Sequence, residues 1–136
     1  AEDSFSFLPA LLGQAQTKSK ARPFTIHHSI NGSFAIRRGK WKLALCPGSG
    51  GWSAPKPAAA KKNAKLAALQ LYDLEKDPTE LTNLQAQRPE LVQNLVATLA
   101  KAIKNGRTTP GQIQANEGHP NTFSQKLLTA FPALGQ

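Results

Sequence analysis

Two turn signals, Asn31-Gly32 and Arg38-Gly39, divide residues 24–46 into three short segments, and nothing else in the chain constrains its fold as strongly. The first segment, "FTIHHSI", is rich in β-branched and aromatic residues, which suit a pleated, half-buried surface. Asn31-Gly32 offers the two positive-φ positions of a type I′ hairpin turn. "SFAIR" is the predicted return strand, and "KWKLALC" runs as a third after the tight turn at Arg38-Gly39. In that third strand Trp41, Leu43 and Leu45 alternate with Lys40, Lys42 and Ala44. One face is therefore predicted to be buried and the other to meet water.

The pattern breaks at residues 47–68, where Gly, Pro, Ala and Lys dominate. This stretch is predicted to be a mobile excursion without regular structure. "LQLYDL" (69–74) follows as a fourth strand, with Leu69, Leu71 and Asp73 alternating with Gln70, Tyr72 and Leu74. A long helix is then clear. Pro89 opens it, Leu91, Val92, Leu95, Val96, Leu99, Ala102 and Ile103 recur at helical spacing, and Gly106 stands where a left-handed cap belongs. The expected fold is α+β: a four-stranded antiparallel sheet packed against one long C-terminal helix, with a short N-terminal helix and a long mobile loop. In the N-terminal helix Phe5, Leu8, Leu11 and Leu12 share a face, Ser4 is placed to cap and Gly13 ends it. Domain boundaries are expected at 1–13 (an end segment of something larger), 14–21 (a polar linker), 22–111 (the sheet and helix) and 112–136 (an irregular tail, with a short helix in 122–136).

Seventeen Lys and Arg against eight Asp and Glu leave a net charge of +9. Such a balance permits contact with polyanions but names none, because the basic residues are spread over 18–22, 37–42, 56–65 and 101–107. No apolar run reaches the roughly 18–20 residues that cross a bilayer. Ala1-Glu2-Asp3 is acidic where a signal peptide would be basic. The lone cysteine, Cys46, excludes an internal disulfide.

Four of the eight acidic residues, Asp73, Glu75, Asp77 and Glu80, crowd into residues 69–84. Asp77-Pro78-Thr79-Glu80 fits a helix start, with Asp at N-cap, Pro at N1 and Glu at N3. A calcium loop needs oxygens at odd spacing about a glycine turn, and proline stands there instead. The knot reads as a turn, with no metal site. Cys46 has no acidic or His partner beside it and reads as a small buried hydrophobe. His27 and His28 are adjacent on a strand, so their rings point to opposite faces and cannot share one ion. His119 stands alone in a Gly/Pro loop. No phosphate loop, nucleophile elbow or zinc spacing is present, and no catalytic residue is expected.

Taken in order, "FLPALLG", "RPFTIHHSINGSFAIRRGKWKLALCPGSGGW", "LQLYDLEKDPTELTNL" and "PELVQNLVATLAKAIKNGRTTPG" resemble the C-terminal region of formylglycine-dependent sulfatases, above all bacterial arylsulfatases. The most specific strings are Leu-Tyr-Asp-Leu, Asp-Pro, Glu and Asn-Leu within 71–84, and Ala-Ile-Arg…Gly-Lys-Trp-Lys-Leu within 35–43. The resemblance implies a missing α/β catalytic domain holding calcium and a Cys-x-Pro-x-Arg motif whose cysteine becomes formylglycine. Cys46 stands in Cys-Pro-Gly-Ser-Gly and is not that precursor. No cofactor is expected in this chain.

What the resemblance implies is a non-catalytic subdomain completing the fold of a periplasmic or secreted sulfuric ester hydrolase. Its partners would be the parent's own catalytic domain and a sulfate ester, with His27, and less so His28, lining the substrate cleft. Self-association through uncovered apolar surface is expected, and neither a membrane nor a specific nucleic acid. The rival is a basic β-ribbon holding nucleic acid or sulfated polysaccharide through Arg37, Arg38, Lys40, Trp41 and Lys42.

Overall fold

The computed structural model describes residues 4–13 and 22–115. The elements are α1 (Leu8–Leu11), β1 (Thr25–His28), β2 (Phe34–Arg38), β3 (Trp41–Ala44), α2 (Pro57–Lys62), β4 (Gln70–Asp73) and α3 (Pro89–Asn105). The four strands form one antiparallel meander in the order β1-β2-β3-β4. The expected sheet and long helix are both present. His119 and the terminal helix foreseen in 122–136 lie outside the described residues.

The turn at 30–32 differs from expectation. Ser29 pairs with Ser33, and the Gly32 N–H donates to Ser29 O at 2.8 Å. The loop therefore has three residues, and only Gly32, at φ 80°, takes a positive φ. Asn31 does not need the left-handed conformation of a type I′ turn. Its side-chain oxygen accepts from the Ser33 N–H at 3.0 Å and from the Ser29 hydroxyl instead, the self-bonding that suits Asn to turns.

Alternation assigns Ile36, Leu43 and Leu71 to one face of the sheet, where α3 covers them. Together with Leu45, Val92, Leu95, Val96, Leu99 and Ala100 they form the core. Ile36, Leu43, Leu71, Leu95 and Leu99 are fully buried, each such side chain contributing about 1.5–3 kcal/mol. Pro89 occupies the first turn of α3 and Lys104 the last, and Gly106 ends the helix at φ 63° with its N–H on Ile103 O.

The outer edge of β4 is not left open. The Leu84 N–H donates to Leu71 O at 2.8 Å. Asn83 accepts from the Leu71 N–H at 2.9 Å and donates to Leu69 O at 2.9 Å. This is the duty of the Asn-Leu pair in the 69–84 string: it occupies main-chain groups that would otherwise template aggregation.

Two further expectations are corrected. Residues 47–68 are not structureless, since they contain α2, whose Ala60 is buried. Pro57 sits in its first turn and Lys61 and Lys62 in its last. No helix starts at Asp77 either. Its carboxylate caps a non-helical turn, accepting from the Leu81 N–H at 3.1 Å and the Thr82 N–H at 2.8 Å, and Glu80 takes φ 59°. In the N-terminal segment Ser6, rather than Ser4, accepts from the Leu8 N–H. Leu8, Leu11 and Leu12 are exposed there.

Candidate functional site

The sheet face turned away from α3 carries the polar alternation. Cross-strand register places His27, Ala35, Ala44 and Gln70 in one row and Thr25, Arg37, Lys42 and Tyr72 in the next. Loop 46–55 and turn 77–80 flank this face and leave a groove of about 490 Å³, with Lys42, Gln70, Tyr72 and Glu80 among its lining.

Lys42 Nζ lies 2.6 and 2.9 Å from the two carboxylate oxygens of Glu80. The Tyr72 hydroxyl donates to Gln70 Oε1 at 2.7 Å, while Gln70 Nε2 donates to Cys46 O and Gly48 O, both at 2.7 Å. Gln70 thereby ties loop 46–48 to β4. Glu80 holds its position in a left-handed conformation that costs a side-chain-bearing residue roughly 1–3 kcal/mol. Ion pairs open to solvent return only about 0–1 kcal/mol.

His27, Tyr72 and Cys46 each favour the neutral form. Burial, followed by the Lys42 charge, lowers the His27 imidazole below its ordinary value, with Glu80 opposing. Burial and then Glu80 and Asp77 raise the Tyr72 phenol. Burial raises the Cys46 thiol, against a hydrogen bond from Ser33 and the Lys42 charge. A neutral imidazole, a phenol and a closed ion pair make a hydrogen-bonding surface. A buried thiol kept protonated is a poor nucleophile.

Each carboxylate of the acidic knot already has a partner. Lys40 Nζ reaches Asp73 at 3.0 Å and Glu75 at 3.3 Å, Lys42 takes Glu80, and Asp77 accepts backbone N–H groups. Among the described residues no group of three or more His, Cys, Asp or Glu could hold a metal ion.

His27 and His28 part as their adjacency dictates. His27 joins the polar face, while His28 lies on the helix side, edge-on to Phe34 with centroids 6.1 Å apart and Nδ1 3.2 Å from Ser29 O. The five residues of the rival ribbon are divided too. Arg37 pairs across from Lys42 and Arg38 from Trp41 on the other face. Lys40 and Lys42 are in ion pairs, and Arg38 donates to Asn94 at 2.9 Å. Sequence reasoning missed Glu80, Gln70 and Tyr72 as a set. Their one legible signal was that Gln70, Tyr72 and Lys42 all fall on the side of the alternation opposite Leu43 and Leu71. That side is not open to water throughout, since Tyr72 is buried.

No family model matches the chain. An N-acetylgalactosamine-6-O-sulfatase of Bacteroides thetaiotaomicron is 32% identical over 110 residues, which is 76% of this chain and 19% of that protein, in its C-terminal part. The chain is a sulfatase homologue. A solved sulfatase from the glycosaminoglycan metabolism of Bacteroides thetaiotaomicron superposes with a TM-score of 0.52 at 27% identity, covering 73% of this chain and 19% of that one. A second such sulfatase, at 21% identity and a TM-score of 0.42, covers 73% and 21%, and carries no weight here.

The chain therefore spans about 19% of the length of the relative it matches. Neither group that sulfatase chemistry implies fits its described residues. The four acidic side chains of residues 73–80 are committed to Lys40, Lys42 and backbone N–H groups, and no cluster of three or more potential ligands is found among the described residues. Cys46 lacks both the Pro and the Arg of the formylglycine motif and is buried. No helix among the described residues is long and apolar enough to cross a membrane.

Proposed function

We propose that this chain is the C-terminal, non-catalytic subdomain of a sulfatase, completing its fold and forming one wall of the substrate cleft. The observation that carries this reading is the match to one fifth of a sulfatase at its C-terminal part, joined to a polar groove face free of α3. The parent would hydrolyse sulfate esters, on a sugar as the relative's name suggests, in the periplasm or outside the cell. Calcium and formylglycine would both come from the remainder of the parent. His27 is the candidate to meet substrate in this reading. It does not line the groove itself but shares the cross-strand row of the lining residues Ala44 and Gln70, and it favours the neutral imidazole, which can donate or accept. His28, on the helix side, is the weaker candidate.

The test is to sequence the complete reading frame and assay both products. The expected result is an upstream Cys-x-Pro-x-Arg motif, aryl sulfate turnover by the long protein and none by the 136-residue chain, with or without calcium. A reading frame lacking that motif overturns the proposal. So does turnover by the short chain that survives repurification and is lost on Cys46→Ala.

A further inference from the structure

The two outer edges of the sheet are treated differently. The edge of β4 is closed by Asn83 and Leu84, whereas β1 pairs with β2 and with no other strand. The Ser29 N–H donates to Ser33 O at 2.9 Å, which makes 29 and 33 a hydrogen-bonded pair. By the alternation of an antiparallel ladder, 27 with 35 and 25 with 37 are such pairs too. Thr25 and His27 therefore spend their main-chain groups on β2. Phe24, Ile26 and His28 turn theirs outward, and among the described residues no main-chain hydrogen bond reaches those outer groups.

Little in the strand guards this edge. Residues 24–28 contain no Pro, Lys, Arg, Asp or Glu, and their register against β2 runs without a bulge, although natural edges are commonly blunted by such devices. The four-residue length of β1 is its one protection.

The order of the side chains points to the occupant. Phe24-Thr25-Ile26-His27-His28 reads ring, polar, aliphatic, polar, ring, so it is close to its own reverse. Laid antiparallel on a second copy with Ile26 opposite Ile26, Phe24 faces His28 and Thr25 faces His27, in both directions at once. The pairs at 24, 26 and 28 would each exchange both main-chain bonds. Phe24 and Ile26 already pack against the core that α3 covers, and His28 stands on that side, edge-on to Phe34. A two-fold axis normal to the sheet keeps that side in common, so the two cores would meet along one apolar seam.

We propose that β1 is the docking edge for a second copy of this chain, the two β1 strands pairing antiparallel about Ile26 so that the four-stranded sheets become continuous. The contact is small and belongs to weak association. A net charge of +9 on each copy opposes it at a distance. Pairing should therefore strengthen as salt screens that repulsion.

The test uses the 136-residue chain. Sedimentation equilibrium between about 10 µM and about 1 mM should show a dimer whose share rises with concentration and with salt. Amide exchange at the two ends of that range separates this edge from any other surface. The Ile26 and His28 N–H groups should exchange about tenfold more slowly in the dimer, while those of Thr25 and His27, bonded to β2 in either state, should change little. A Thr25→Glu, His27→Glu variant sets like charges opposite each other across the two-fold, whereas within one copy the new carboxylate at position 25 meets Arg37. Both sites are exposed, so the variant should unfold near the wild-type urea midpoint and remain a monomer. Leu8→Asp with Leu11→Asp, on the exposed α1, should dimerise as the wild type does. A strict monomer at about 1 mM overturns the inference. So does a dimer without selective protection of Ile26 and His28, or one that the α1 variant abolishes. The exchange pattern needs no variant, so a Glu variant that fails to fold leaves the proposal open to refutation. The subdomain reading stands under any of these results, because the chain is tested alone.

Discussion

Lys40, in the β2–β3 turn, joins that turn to the far end of β4 twice over: its ammonium lies 3.0 Å from the buried Asp73 carboxylate, and its carbonyl accepts from the Leu74 N–H at 2.8 Å. The same ammonium sits 5.2 Å from the Trp41 ring centroid. Asp73 is the charged residue that the core side of the sheet buries. It is tolerated there because Lys40 and the Glu75 N–H, at 3.2 Å, both meet it.

Acid should weaken the fold through this group. Burial alone would raise the Asp73 carboxyl, but the hydrogen bonds from Lys40 and Glu75 outweigh it and hold it below the ordinary value of 3.8. Asp77 is lowered as well, chiefly by the Thr82 and Leu81 N–H groups. A depressed carboxyl binds fewer protons folded than unfolded, so its stabilisation is present above the unfolded value of 3.8 and is lost as pH falls from there through the lower folded value. Urea midpoints should fall progressively as pH drops below about 5. Asp73→Asn should lower the midpoint at pH 7 and flatten that drop. A variant as acid-sensitive as the wild type would contradict the assignment.

His27 should add a second, milder step at higher pH. Its imidazole is lowered from 6.5 by burial and by Lys42, so the unfolded chain binds its proton first as pH falls. Stability from this group is present above the unfolded value of 6.5 and is lost below it. His27→Gln should reduce the change in urea midpoint between pH 7.5 and pH 5.5. NMR titration of the His27 ring in the wild type gives the direct check: it should titrate below 6.5.

Much of this was legible in the sequence, for reasons that differ by element. The strands were readable because apolar residues alternate along them, as Leu43 is buried between half-buried Lys42 and Ala44. β4 departs from that pattern, Leu71, Tyr72 and Asp73 all being buried. The helix was readable because its buried residues recur at helical spacing before a left-handed glycine. The short α2 was missed because its Pro-Ala-Ala-Ala-Lys-Lys has no apolar stripe, only Ala60 being buried. The helix start at Asp77 was misread because a cap, a proline and a glutamate serve a non-helical turn equally well once Glu80 adopts positive φ. The Lys42–Glu80 pair was invisible since its members stand 38 residues apart, and only the register of β3 beside β4 and the turn after it bring them together.

Two positions should separate core packing from helix ending. Leu95 is fully buried against the sheet, so Leu95→Ala should cost about 2–5 kcal/mol through lost transfer and a cavity. Gly106 sits at φ 63°, and an added β-carbon would collide with the Gln114 carbonyl oxygen. The left-handed conformation alone costs an alanine roughly 1–2 kcal/mol, and the collision adds to it unless residues 107–114 move. Chemical denaturation of Leu95→Ala, Gly106→Ala and Gly106→Asn measures both. Asn tolerates the left-handed region better than Ala, so Gly106→Asn should be the milder change. Equal losses for Asn and Ala would place the cost in the collision instead of the backbone.

The last expectation concerns the net charge of +9. Neutralising phosphates releases counterions, so affinity for duplex DNA falls with a log–log salt slope of about 0.9 per contact. The structure has committed the ribbon cations: Lys40 to Asp73 and Glu75, Lys42 to Glu80, Arg38 to Asn94. Lys56, Lys61, Lys62 and Lys65 are exposed on and around α2, so they should dominate whatever polyanion affinity exists. Binding to DNA and heparin should be weak, about 10⁻⁴–10⁻⁶ M near physiological salt, and indifferent to sequence. Replacing the four α2-region lysines by alanine should remove most of it. Replacing Arg37, Arg38, Lys40 and Lys42 should mainly destabilise the fold, since Lys40 and Lys42 anchor the turns at Asp73 and Glu80. Fluorescence anisotropy at low and physiological salt distinguishes the two sets. Tight, sequence-selective binding that survives physiological salt and disappears only in a folded ribbon variant would favour a nucleic-acid module over the sulfatase subdomain.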